Sequence, residues 1–98
     1  NSISDSNSPY LAVAGDQLIV DTRTNPVTVT LPAAATVGDE IVVIDGYNFF
    51  LSNNCTLANN SLNILGAASN VVLNTNRQAI TLVYVNATQG WTYKTNTV

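Results

Sequence analysis

The chain has 98 residues, of which 46% are apolar and 9% charged, with a formal net charge of −3; that is enough for one hydrophobic core and too few for two. This hydrophobicity excludes a disordered chain, and three basic residues, Arg23, Arg77 and Lys94, exclude binding along a phosphate backbone or to an anionic membrane surface. A single cysteine, Cys55, excludes an intrachain disulfide, and the absence of histidine removes the usual zinc, copper and haem ligand sets, so no metal or cofactor is expected.

Surface polarity comes from amides and hydroxyls, with fourteen Asn and twelve Thr against six acids. Thr favours strands and Asn favours turns, while the strong helix formers are scarce, so the composition predicts an all-β domain. Asn1 to Pro9 is rich in Ser and Asn and closes on Ser-Pro, which reads as a linker or extended N-terminal arm, residues 1–9. The chain opens on Asn and contains no Met, which points to a processed product or a segment with something upstream; no signal-peptide pattern is visible at its start.

The folded domain is expected over residues 10–98. Apolar runs bounded by turn residues recur at Tyr10–Ala14, Gln17–Thr22, Val27–Leu31, Glu40–Ile44, Cys55–Ala58, Leu62–Leu65, Val71–Leu73, Ala79–Val85 and Trp91–Lys94. That spacing predicts an antiparallel β-sandwich or jelly-roll-like domain. None of these runs approaches the roughly 20 residues that span a bilayer.

Val27, Val29 and Leu31 alternate with Thr28 and Thr30, which predicts one buried and one hydroxylated face. Ile80, Leu82 and Tyr84 interleave with Thr81, Val83 and Val85, leaving both faces largely apolar. A strand of that kind is central or covered by another subunit, so Val83, Tyr84 and Val85 are candidate subunit-interface residues. Pro32 to Thr36 reads as a loop or short turn, because Val37-Gly38-Asp39 stops any helix at once. The segments Ala14–Val20 and Val37–Val43 resemble each other at an offset of 23 residues, each with Gly-Asp before an apolar run. With no third copy, they read as independent turn-to-strand entries and not as a solenoid.

Cys55 reads as a small buried hydrophobe, since no histidine is present to activate a thiolate. The acids fall mostly at turns and strand ends, where Asp caps backbone amides, and no Ser-His-Asp set or phosphate loop exists; the expectation is a protein without enzymatic activity. The Asp45-Gly46-Tyr47-Asn48 segment lacks the spacing of a calcium loop. Three Asn-X-Ser/Thr matches, at Asn54, Asn59 and Asn86, are about what chance supplies in so Asn-rich a chain. Tyr47, Phe49 and Phe50 form an aromatic group in one loop, which either packs in the core or is exposed to contact a glycan or a partner's groove.

In order, Leu31-Pro32, Val37-Gly38-Asp39-Glu40-Ile41-Val42-Val43-Ile44-Asp45, Asn48-Phe49, Asn53-Asn54-Cys55-Thr56-Leu57, Ile64-Leu65-Gly66, Leu82-Val83-Tyr84-Val85 and Gly90-Trp91 run through the chain. This succession resembles a small β domain of tailed-phage virion proteins, notably tail fibre and appendage proteins of marine and freshwater phages. The resemblance implies a non-enzymatic structural module of the virion, an extracellular particle. Such modules are usually homotrimers in fibres and bind other virion proteins, with host attachment and host-surface glycan as further associations. Capsid decoration or head fibre is the alternative position it leaves open, and a monomeric carbohydrate-binding domain is the competing reading. It further implies turns at Gly38 and Gly66, a strand end at Leu31-Pro32, and Trp91 packed under the last strand.

Overall fold

In the computed structural model, which describes residues 1–98, nine strands form: β1 (Ser2–Ile3), β2 (Tyr10–Leu11), β3 (Gln17–Val20), β4 (Val27–Thr30), β5 (Glu40–Asp45), β6 (Cys55–Ala58), β7 (Val71–Leu73), β8 (Ala79–Asn86) and β9 (Gly90–Thr97). A single 3₁₀ turn, Asp5–Asn7, is the only helical element, and no helix is long and apolar enough to cross a membrane. The strands build two sheets, ordered β1-β3-β5-β8-β9 and β2-β4-β6-β7.

The domain is all-β, but its sheets are mixed, which corrects the antiparallel and jelly-roll expectation. β1 with β3, β3 with β5, β2 with β4 and β4 with β6 pair in parallel; only β5 with β8, β6 with β7 and β8 with β9 run antiparallel. From β1 to β6 the chain alternates between the two sheets, so each successive pair of strands lies beside the previous pair. Parallel neighbours need a crossover, and here the other sheet supplies it in place of a helix.

The two similar segments are the entries to consecutive coils. In each, a four-residue turn has Gly in third position, Gly15 at φ +91° and Gly38 at φ +96°, the region glycine adopts without steric cost. Asp16 N–H donates to the Val13 carbonyl and its carboxylate accepts the Val13 N–H; Asp39 does the same with Thr36. β3 then pairs with β5 in the register Leu18 to Val43, two residues beyond the sequence match. An even slip keeps the same face inward. The pairings Ser2 with Ile19, Gln17 with Val42, Tyr10 with Val29 and Val27 with Cys55 show coils of unequal length, which hides the winding from a search for a fixed period.

Both sheets turn alternate side chains into one cluster of 18 buried hydrophobic residues, among them Leu18, Val29, Ile41, Leu57, Leu82 and Trp91. The segment expected as an arm contributes as well: β1 forms an edge of the first sheet and Ile3 is 4% exposed. The Leu62–Leu65 run is not a strand. Positive φ at Asn60, Ser61 and Leu65 bends the backbone, and Ile64 alone bridges to Ala67 and Trp91 and enters the core.

Candidate functional site

The crossovers sort the loops to two ends. Residues 4–9, 21–26, 46–54 and 74–78 gather at one end of the strands, and residues 12–16, 31–39, 59–70 and 87–89 at the other. Asp45, at the end of β5, organises the first group. Its buried carboxylate accepts the backbone N–H groups of Phe49, Phe50 and Arg77 at 3.0–3.1 Å, tying two loops to one strand. Asn53 Nδ2 donates to the Thr22 carbonyl, and Asn76 Oδ1 accepts from Leu51 N–H, so neighbouring loops are cross-braced.

This bracing divides the aromatic group. Phe50 is fully buried in the core and is not an exposed contact residue, which corrects that expectation; the Asp45 clamp turns it inward. Tyr47 is 50% exposed and Phe49 37% exposed. Tyr47 borders the molecule's single sizeable cavity, an open groove of about 410 Å³ that also involves Ser2, Ser4, Asn7, Ile19 and Asp21. The Arg23 guanidinium lies 3.5 Å from the Tyr47 ring centroid, a cation–π contact. Asp21 holds Arg23 in place, with Oδ1 accepting from Nε at 3.1 Å and Oδ2 from the terminal guanidinium nitrogen at 3.0 Å. The side-chain hydrogen bonds from Arg23, followed by its backbone N–H, lower the Asp21 pKa, and the hydrogen bonds to the Asp21 carboxylate raise that of Arg23.

Sequence reading did not find Asp21, Arg23, Asn7 or Ser2. The one available signal was Asp21-Thr22-Arg23 around a turn, in a chain with only three cations; the meeting with Tyr47 depends on β3 lying beside β5.

A second surface is the outer face of the five-stranded sheet. Val83 and Val85 lie half-buried on it, beside Val42, Ile44, Ala79 and the more exposed Ile19. Tyr84 points the other way, is 8% exposed and packs edge-to-face on Trp91 with ring centroids 5.6 Å apart. It is therefore a core residue, which corrects its place among the interface candidates. The charged pair on this face, Glu40 and Lys94, is joined at 2.9 Å.

The remaining reactive groups are engaged. Asp39 and Glu40 lie at the opposite end of β5 from Asp45, and Asp39 caps its turn. Cys55 is fully buried, and burial, with a smaller effect from the Asp45 charge, pushes its thiol pKa up to about 12. No group of three or more acidic or Cys residues is placed to hold a metal ion. Comparison of the sequence with protein-family models and with curated proteins gives no match.

Proposed function

We propose that this chain is a non-enzymatic structural module of a tailed-phage virion, placed in a tail fibre or other appendage, and that it acts as a homotrimer packed through the outer face of its five-stranded sheet. The observation that carries the assembly is the largely apolar outer face of β5 and β8, where Val42, Ile44, Ala79, Val83 and Val85 surround Thr81. A sheet face of this kind gains about 25 cal/mol per Å² when it is taken from water. Its charges are confined to the paired Glu40 and Lys94. The ordered motifs from Leu31-Pro32 to Gly90-Trp91 support the virion setting and the trimeric number.

The test is Val83→Asp, which puts a carboxylate on the outer face, beside Tyr84→Phe, an inward change. Light scattering should show the first variant as a single chain with β circular dichroism retained, and the second as a trimer. A trimeric Val83→Asp protein would remove this face as the interface. An antibody to the chain should label virions at tail appendages; label on the head surface would move the module to capsid decoration or a head fibre, and virions without label would overturn the reading.

A further inference from the structure

The groove beside Tyr47 has a chemistry of its own and adjoins the proposed interface at Ile19, which pairs with Ile44. It lies at the loop end of the sheet, where β1 stops after Ile3, whereas Val83 and Val85 lie toward the far end of β8. One side is apolar, made by Ile19 and the half-exposed Tyr47 ring. With Arg23 stacked on it and Asp21 gripping Arg23 by two bonds, the ring is held in a fixed position. A ring immobilised before binding loses little entropy when a ligand packs on it.

The other side is polar and has unused capacity. Asn7 accepts the Ser4 N–H through Oδ1, while its Nδ2 donors and the Ser2 hydroxyl make no bond within the chain. Asp21 Oδ2 accepts one hydrogen bond from Arg23, although each carboxylate oxygen accepts about two. The charges of Asp21 and Arg23 oppose each other at contact distance, so the groove is close to neutral. Its volume sits in the lower part of the roughly 300–1,000 Å³ range of small-molecule sites.

A rigid aromatic and aliphatic wall facing carboxylate, amide and hydroxyl groups, without net charge, matches a molecule with one C–H face and a rim of hydroxyls. We infer that this groove is a binding site for a neutral sugar. The pyranose ring packs on Tyr47 and Ile19, and its hydroxyls bond to Asp21, Asn7 and Ser2. Phe49, exposed but not lining the groove, takes no part.

The experiment is NMR of the full chain titrated with lactose, maltose, cellobiose and diacetylchitobiose at tens of millimolar, with sialyllactose as the charged comparison. At least one neutral disaccharide should shift the amide signals of Ser2, Asn7, Asp21 and Tyr47. Tyr47→Ala should weaken that binding by about tenfold, Asp21→Asn should weaken it too, and Phe49→Ala should leave it unchanged. No shift from any neutral sugar, shifts at other residues, binding of sialyllactose alone, or full binding by Tyr47→Ala would each overturn the inference. The molecular mass of the same samples reads the trimer separately, so loss of one result does not carry the other with it.

Discussion

Asp45 and Gly90 show how single residues fix the loops that the sheets only begin to position. A buried carboxylate with three backbone donors replaces bonds that the Phe49–Phe50 and Arg77 turns would otherwise seek from water. Gly90 begins β9 at φ +69°, and a Cβ there would run into the Asn63 carbonyl that accepts the Trp91 N–H. Gly38 also has positive φ, yet a Cβ there would meet nothing within 4 Å. Gly38→Ala should therefore cost about 1–2 kcal/mol, the strain of the backbone alone, and Gly90→Ala about 3 kcal/mol or more because the Asn63 backbone must also move. Denaturant melts of both variants check the order; equal losses would contradict it. Cys55 gives a pH prediction. The native state keeps its thiol proton to about pH 12, whereas a thiol at the ordinary value of 9.0 has released it. The folded chain then binds more protons in that window, so this contribution is fully present below about pH 9 and is lost as pH rises toward 12, by at most about 1.4 kcal/mol per pH unit. Urea titrations at about pH 8 and 11 should show a shallower decline for Cys55→Ala than for the native chain; identical declines would count against the buried thiol.

At the scale of elements, the first strand shows most clearly how much the fold recruits. Ile3 is a lone apolar residue among Ser, Asn and Asp, yet it pairs beside Val20 and is almost wholly buried. Ile3→Ala should destabilise the domain by about 2 kcal/mol or more, read as a lower denaturant midpoint; an unchanged midpoint would mean that residues 1–9 are a free arm. Periodicity could not reveal this strand, because two residues carry no period. Where alternation was written in the sequence it was legible, as in Val27–Thr30; Glu40–Asp45 and Ala79–Asn86 also bury every second side chain, although their apolar residues fall on both faces. The parallel pairing was not legible, since it depends on crossovers of unequal length, and the paired Gly-Asp turns were its only trace. The candidate site was half legible for a related reason. Tyr47 was visible as an aromatic in a polar loop, but its partners come from β1 and the β3–β4 turn, and Phe50 is turned inward by a carboxylate five residues earlier.

The whole molecule is a short two-sheet coil closed by the antiparallel strands β7, β8 and β9, with its core between the sheets and an apolar face left on the outside. A chain of this length buries a modest core, so covering that face adds stability that depends on protein concentration. The groove at Tyr47 lies at the loop end of the sheet, where Ile19 pairs with Ile44, and Val83 and Val85 lie toward the far end of β8, so an interface centred on Val83 would leave the groove open. The absolute molar mass of the purified chain, measured by light scattering over a hundredfold dilution, reads the proposed trimer without an intermediary. A trimer gives three times the 10.4 kDa chain mass, giving way to lower mass only at high dilution; a constant 10.4 kDa at every concentration would overturn the assembly.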